Sequence, residues 1–123
     1  MNWQIEFAEE TERDFALILD HLIDSYTSFG DSPAEATQRA TQRLTEILDA
    51  PLRIATAPFR GQSHDDLLPG LRQLAFGKAT FWFTVHDGQG VIQVLAVFFG
   101  GQDQQRRMLV RLLDRRRSPP ALP

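Results

Sequence analysis

The sequence predicts an α+β fold in which a helical hairpin precedes a mainly antiparallel sheet. Two observations carry this prediction: apolar residues recur at helical spacing between residues 11 and 50, and they alternate or run together between residues 71 and 99. Ahead of both segments, Trp3, Ile5 and Phe7 alternate with polar residues, which predicts a short first strand with one apolar face. The expected order is therefore strand, helix, helix, three strands and a final helix.

Two helices are expected after the first strand. Thr11 is the predicted N-cap of the first helix, which should run to Gly30. The second helix should begin at Ser32–Glu35, where a capping serine precedes a proline and a glutamate stands three residues after the cap. Pro51 should end it. Because Gly30 and Asp31 form a very short connection, we expect the two helices to pack as an antiparallel hairpin.

The remaining chain is expected to supply a loop and three strands. Residues 51–70 contain three prolines and two glycines without a sustained period, which predicts a loop with little regular structure. Strands are predicted at Leu71–Phe76, Ala79–His86 and Val91–Phe99, with turn residues at Asp87–Gly90. The last strand is apolar on both faces, so it should lie inside the sheet. In the middle strand, one face should carry Phe81, Phe83 and Val85, and the other Thr80, Trp82, Thr84 and His86.

A final helix is predicted from about Asp103 to Arg116, after a turn at Gly100-Gly101. Its apolar residues should be buried. They are Met108, Leu109, Leu112 and Leu113. The proline-rich residues 118–123 cannot continue the helix and are expected to form a mobile tail, which leaves residues 1–117 as a single domain.

Composition limits the possible functions. The chain has no cysteine, which excludes disulfides, a thiolate nucleophile and cysteine zinc sites. Its apolar runs are too short to cross a bilayer, and we expect a soluble, cytoplasmic protein without a membrane partner. The net charge of −3 is unevenly distributed: residues 1–50 carry eleven acids and three arginines, whereas the rest carries five acids and ten basic residues. A general nucleic-acid binder is not expected from an acidic chain, but the basic half favours an acidic protein partner.

The order of elements, together with Gly70-Leu71-Arg72, Phe81-Trp82-Phe83 and the run from Val94 to Asp103, resembles the RelE/ParE toxin superfamily. The resemblance covers residues 3 to about 113. It implies a small curved sheet behind a helical hairpin, and a growth-inhibiting toxin of a type II toxin-antitoxin system, of the kind associated with plasmid stabilization. It also implies a cognate antitoxin, encoded beside the toxin, that holds it inactive.

Within this superfamily, the residues favour the ParE-like branch. RelE-like members resemble ribosome-dependent ribonucleases, and RNA cleavage requires clustered cations and proton-transferring groups. Arg72 fits the first basic position, but Thr80 and Gln102 stand where basic residues are common. RelE-like members also often have a tyrosine or histidine near the C-terminus, whereas the only tyrosine of this chain, Tyr26, lies in the first helix. The ParE-like resemblance implies inhibition of DNA gyrase by protein binding. A RelE-like ribonuclease acting on ribosome-bound mRNA and an inactive toxin relic are the alternatives.

The expected sites follow from the resemblance and the charge. Arg106 and Arg107 fall in the first turn of the final helix, where each positive charge opposes the helix dipole by roughly 0.3–1 kcal/mol, a cost that an acidic partner would offset. The predicted target-binding residues are Arg72, Arg106 and Arg107, and Arg72 is also the catalytic candidate under the ribonuclease alternative. The predicted antitoxin-binding residues are Trp82, Arg106, Arg107, Met108 and Arg111.

No metal or cofactor is expected. His64, Asp65 and Asp66 lie together in the predicted loop, but no second cluster with ligand spacing accompanies them. The roles of His64, of His86 and of the 51–70 loop stay open, as does assembly into a homo-oligomer or a hetero-oligomer with the antitoxin.

Overall fold

The computed structural model describes residues 2–101 and 103–117; the predicted tail at 118–123 and Gln102 lie outside the described residues. The described residues form five strands and four α-helices, in the predicted α+β arrangement. The strands are β1 (Gln4–Phe7), β2 (Gln62–Ser63), β3 (Leu71–Phe76), β4 (Ala79–His86) and β5 (Val91–Phe99). The helices are α1 (Thr11–Ser28), α2 (Pro33–Asp49), α3 (Pro51–Thr56) and α4 (Gln104–Arg117). No helix in the described ranges has the length and apolar character that a membrane span requires.

The sheet has the order β1-β5-β4-β3-β2. β1 runs parallel to β5, and all other neighbours are antiparallel. The three long strands have the predicted bounds, and β5 lies inside the sheet as its apolar faces indicated. A tight turn joins β4 to β5 through Gly90, whose φ of 66° is in the left-handed region that glycine tolerates.

A β-bulge interrupts the pairing of β4 with β5. Trp82 is opposite Ala96, whereas Phe83 is opposite Val94, so Leu95 is an extra residue in β5. Because of this insertion, Leu95 and Ala96 both pack in the core cluster that contains Trp82 and Met108. The neighbouring strand residues pack with the helical hairpin on the opposite face.

The two faces of the sheet carry separate cores. The hairpin side contains Phe81 and Phe83 of β4, packed with Ile18 and Leu22 of α1. The α4 side contains Trp82, Leu71, Leu95 and Met108. The predicted alternation along β4 is therefore confirmed: successive side chains of the strand point to opposite faces and enter different cores.

The start of α1 differs from the prediction. Glu10 is the N-cap and Thr11 is the first helical residue; the Thr11 hydroxyl donates to the carbonyl of Ala8 at 2.6 Å and caps no helical N–H. The start of α2 is as predicted. Ser32 accepts from the Glu35 N–H at 3.2 Å and donates its own N–H to the Glu35 carboxylate at 3.1 Å, which completes the capping box. These hydrogen bonds with Ser32 lower the pKa of Glu35.

The prediction of an irregular 51–70 loop was wrong for its first half. Pro51 does not only end α2; it occupies the first turn of α3, where its missing N–H costs no helical bond. A single 3-10 turn follows at Pro58–Arg60, and then β2 pairs with β3. Gly61 permits this close packing, because a Cβ there would lie 3.0 Å from the carbonyl oxygen of Gln73.

The second half of the segment is a turn held by Asp65. Its carboxylate accepts from the Gly70 N–H at 2.8 Å and from the Ser63 hydroxyl at 3.0 Å. The bond from Gly70, followed by that from Ser63, lowers the pKa of Asp65. A carboxyl whose folded pKa is lowered contributes stability above its unfolded pKa, about 3.9, and loses that contribution as the pH falls through the folded pKa.

We therefore expect Asp65→Asn to cause a small loss of stability at pH 7 that shrinks as the pH falls below about 3.9, because the Asp65 carboxyl is then protonated first in the unfolded and next in the folded state. Urea unfolding at pH 7, 5 and 3 measures this difference. Asp66→Asn is the matched control, because its exposed carboxylate lies outside this pair of hydrogen bonds. A loss that is equal at all three pH values would contradict a role for the Asp65 charge.

Candidate functional site

The outer face of α4 is the most distinctive surface in the described chain. The side chains of α4 that pack into the core beneath it form one narrow stripe spaced four residues apart: Gln104, Met108 and Leu112. Leu109 and Leu113 were predicted to be buried, but each is 45% exposed, and Val110 is 50% exposed. The reason for the difference is that the sheet is already covered by the stripe, so the rest of the apolar side faces outward. We call Leu109, Val110 and Leu113 the α4 apolar face.

A groove of about 720 Å3 runs beside α4 and over the ends of β4 and β5. Leu109 and Leu113 form one wall, and Leu67 and Leu68, in the turn between β2 and β3, form the other. The polar residues that line the groove form its rim. They are Thr84, His86, Gln93, Arg115 and Arg116. We call this cavity the α4 groove; its apolar walls and cationic rim fit an apolar chain that carries acidic groups.

Arg106 and Arg107 are both exposed at the beginning of α4, as predicted. The guanidinium of Arg107 lies 4.5 Å from the ring centroid of Phe98 and donates to the Phe99 carbonyl over 3.4 Å. Together with Val110 and Asp103, the two arginines line a shallow cavity of about 390 Å3. These cations therefore lie next to the α4 apolar face, on the same accessible surface.

Trp82 and Met108 lie beneath this surface and not on it. Both side chains are fully buried. The indole N–H of Trp82 donates to Gln104 Oε1 at 2.9 Å, and the ring packs on that of His64 with centroids 4.7 Å apart. The predicted antitoxin contacts of Trp82 and Met108 require exposed side chains, so in this conformation neither residue is available to a partner. The physical reason is that Trp82 and Met108 pack against each other and against Leu71 and Leu95 between the sheet and α4.

Arg111, another predicted antitoxin contact, forms a buried ion pair with Asp14 of α1. Its guanidinium donates to both carboxylate oxygens, and the side chains are only 16% and 3% exposed, respectively. Arg111 also donates to the Leu95 carbonyl at 2.9 Å, while Asp14 accepts from the Val97 N–H at 3.0 Å. The charge of Arg111 is therefore already used inside the protein.

This ion pair closes an edge of the sheet. β1 pairs with β5 only as far as Val94, and the Ala8 N–H bonds to the Val94 carbonyl at 2.8 Å. Beyond that point no strand among the described residues borders β5 on this side. Asp14 and Arg111 satisfy the backbone groups of Val97 and Leu95 that would otherwise be open to another strand.

Arg72 lies on the other side of the sheet from α4. It is opposite Phe83, whose side chain packs with the helical hairpin. Its guanidinium donates to the carbonyls of Phe59 at 3.0 Å and Gly61 at 2.9 Å, and lies 5.3 Å from the Phe59 ring centroid. The structure therefore does not bring Arg72 together with Arg106 and Arg107, and its guanidinium holds the 58–61 segment against β3.

The two histidines of open role have protein partners. His64 is buried, and its Nε2 lies 2.8 Å from Gln73 Oε1. His86 is exposed at the rim of the α4 groove, with Nε2 3.0 Å from the Thr84 hydroxyl. Within residues 2–101 and 103–117, no group of three or more His, Cys, Asp or Glu side chains is arranged to hold a metal ion.

Sequence reasoning missed the Asp14–Arg111 pair and Gln104. From the sequence alone, Asp14 is a favourable negative charge in the first turn of a helix and nothing more. A signal was present, because Asp14, Ile18 and Leu22 are spaced four residues apart on one buried stripe. Gln104 similarly stands four residues before the buried Met108. A polar residue in register with an apolar stripe predicts a buried side chain that needs a hydrogen-bond partner.

No protein-family model and no curated protein matches this sequence. Solved structures do match. A chain of the chromosomal ParDE TA system from P. aeruginosa aligns with a TM-score of 0.60 at 16% identity, over 81% of this chain and 98% of that chain. A chain of the toxin-antitoxin complex RelBE2 from Mycobacterium tuberculosis aligns with a TM-score of 0.56 at 14% identity, over 80% and 99%. This chain therefore has the RelE/ParE-like fold that its sequence resembles.

Proposed function

We propose that this protein is the toxin of a type II toxin-antitoxin pair and that it inhibits growth by binding DNA gyrase, as the ParE-like resemblance implies. The observation that carries the proposal is the exposed surface of α4, where Leu109, Val110 and Leu113 adjoin Arg106 and Arg107. Apolar side chains beside arginines are typical of protein-binding surfaces. The fold, shared with a chain of a ParDE TA system, supports the same proposal.

The composition of the sheet favours binding over RNA cleavage. β3, β4 and β5 together contain one lysine or arginine, which is Arg72. Its guanidinium bonds to loop carbonyls on the hairpin side, away from the α4 groove. Phosphodiester cleavage depends on cations and proton donors converging on one phosphate. The strands under α4 supply no such convergence in the described chain, and this supports a role that requires no chemistry.

We expect induced expression to arrest growth, and Arg106→Glu/Arg107→Glu to relieve the arrest by at least about tenfold in surviving colonies, because charges that contact an acidic partner are reversed. Purified wild-type protein should inhibit supercoiling of relaxed plasmid by gyrase, and the double variant should not. Arg53→Glu/Arg60→Glu is the matched control, since both arginines are exposed on the opposite side of the molecule.

Three outcomes would contradict the gyrase proposal. The first is unchanged gyrase activity at micromolar protein during a clear growth arrest. The second is cleavage of transcripts at codon-dependent positions, mapped by primer extension, which would establish the ribonuclease alternative. The third is equal toxicity of the folded Arg106→Glu/Arg107→Glu variant, which would move the target-binding surface away from α4.

The antitoxin is proposed to occupy the α4 groove and the α4 apolar face. Leu109 and Leu113 would accept apolar anchors, and acidic residues of the antitoxin would meet Arg116 on the rim of the groove and Arg106 and Arg107 beside the α4 apolar face. In this proposal, exposed residues of α4 contact the antitoxin instead of Trp82 and Met108, which are buried, and Arg111, which is paired with Asp14. An extended or helical segment that folds on binding suits a long groove.

We expect Leu109→Asp/Leu113→Asp to weaken binding of the adjacent gene product by at least about 100-fold, because two apolar anchors are replaced by charges that repel an acidic chain. Calorimetry at 50 and 500 mM salt should also show weaker wild-type binding at high salt. Leu52→Asp is the control, because Leu52 is exposed on α3, distant from the groove. Unchanged affinity of the double variant, or no effect of salt, would contradict this placement.

A further inference from the structure

Another cavity, of about 420 Å3, lies on the hairpin side between the end of α1, α2 and the β3–β4 turn. Its volume is in the range of small-molecule sites. The described side chains that line it include no carboxylate. Its basic and aromatic lining residues are His21, Tyr26, Phe29, Arg39, Arg43, Lys78 and Phe99. We call it the hairpin cavity.

The cations of the hairpin cavity are unexpected in this part of the chain. Residues 1–50 carry eleven acids and three arginines, yet Arg39 and Arg43 both face this cavity. Lys78 joins them from the β3–β4 turn and has no carboxylate within ion-pair distance among the described residues. Like charges placed together raise the energy of the protein unless an anion is present.

Two of these cations have a carboxylate partner outside the cavity lining. Arg39 pairs with Asp31 at 2.7 Å, and Arg43 pairs with Glu46 at 3.0 Å, so the three cations and two carboxylates leave one positive charge in excess, that of Lys78. The Arg43 guanidinium also reaches the turn before Lys78, because its Nη2 lies 3.2 Å from where a Cβ on Gly77 would be. Gly77 therefore leaves room for the Arg43 guanidinium beside the β3–β4 turn that carries Lys78.

The aromatic groups surround these cations. Phe29 follows α1 and is 85% exposed, the most exposed large apolar side chain described. The Arg39 guanidinium lies 4.2 Å from the Tyr26 ring centroid, and the His21 ring is 5.6 Å from that of Phe99. Flat rings beside guanidinium and ammonium groups suit a ligand that combines an aromatic base with a phosphate.

We propose that the hairpin cavity binds a nucleoside phosphate, either as a free nucleotide or as part of a single strand, with the phosphate at Lys78 and Arg43 and the base against Phe29. The site is distinct from the α4 surface and does not rest on the proposed function. It is compatible with an acidic chain because it needs a local group of cations and not a basic surface along a nucleic acid.

The test is titration of the 15N-labelled protein with ATP, hexauridylate and inorganic phosphate, followed by NMR and calorimetry. We expect ATP or hexauridylate to shift the amides around Phe29 and Lys78, and inorganic phosphate to bind at least about tenfold more weakly because it lacks a base. Lys78→Glu and Phe29→Ala should each weaken binding about tenfold or more. Both side chains are exposed, so the fold should be retained, and Phe29→Trp should restore stacking.

Arg53→Glu is the matched charge control, because Arg53 is exposed outside this cavity. Binding of ATP alone would identify a free nucleotide, and binding of hexauridylate alone would identify a strand; each supports the proposal. The proposal is overturned if neither ligand shifts these amides at 1 mM, roughly the weak end of specific binding. It is also overturned if polyglutamate or inorganic phosphate binds as tightly as ATP, or if Arg53→Glu weakens binding as much as Lys78→Glu.

Discussion

Replacing either member of the Asp14–Arg111 pair should destabilise the protein by about 3–5 kcal/mol, because the remaining charge stays buried without its partner. Arg111→Ala also removes the donor to the Leu95 carbonyl, and Asp14→Ala removes the acceptor of the Val97 N–H. Urea unfolding followed by circular dichroism measures the loss. Because the edge of β5 is then open, we also expect both variants to self-associate, which size-exclusion chromatography would detect.

The chain offers a matched exposed pair. Arg115 of α4 bonds to Glu10 before α1 at 3.0 Å, joining almost the same two elements through solvent-exposed groups. Arg115→Ala should cost no more than about 1 kcal/mol. A double-mutant cycle on Asp14 and Arg111 isolates their coupling. A cost below about 1 kcal/mol for Arg111→Ala, equal to that of Arg115→Ala, would mean that the buried pair does not hold α4 on the sheet.

Trp82→Ala should destabilise the protein by about 3–5 kcal/mol, because it removes the largest fully buried side chain and leaves a cavity between β4 and α4. Gln104→Ala should cost about 1–3 kcal/mol by leaving the indole N–H unpaired. In a Trp3→Phe background the remaining fluorescence reports Trp82 alone, and we expect blue-shifted emission that iodide does not quench.

Gln105→Ala controls for helix propensity at the neighbouring exposed position and should be near neutral. Adding the antitoxin should leave the Trp82 emission unchanged, since the proposed contacts are on the outer face of α4. An iodide-accessible Trp82, or a Trp82→Ala variant as stable as the wild type, would favour the sequence-based prediction that Trp82 binds the antitoxin.

The regular elements could be predicted because their signals are local. The bounds of β3, β4 and β5 follow from alternation and turn residues, and the start of α2 follows from Ser32–Glu35. Alternation also predicted which β4 residues share a face. The face on which Arg72 lies could not be predicted in the same way. It follows from the pairing of Arg72 with Phe83, which puts Arg72 on the hairpin side, and the sequence does not give the register of β3 against β4.

The site depended on long-range contacts that no local pattern records. Whether Leu109 and Leu113 are buried depends on how much of the sheet remains uncovered beneath α4, and Trp82 and Met108 already occupy it. Similarly, β2 pairs with β3 because Gly61 lets the chain lie close to β3, although the prolines and glycines of this segment predicted a loop. Composition indicated a basic half, but only the fold showed that Arg39 and Arg43 of the acidic half meet Lys78.

The long sequence separation of the Asp14–Arg111 pair has a consequence for synthesis. The two residues are 97 positions apart, so the ion pair cannot form until α4 has been made and has left the ribosome. Among the described strands, β5 pairs only with β1 and β4, which precede α4, so the sheet can form before α4 docks on it. During that interval the backbone groups of Leu95 and Val97 in β5 lack their side-chain partners and can recruit another strand. Emergence of the final helix thus ends the period in which the growing chain is most exposed to misassembly.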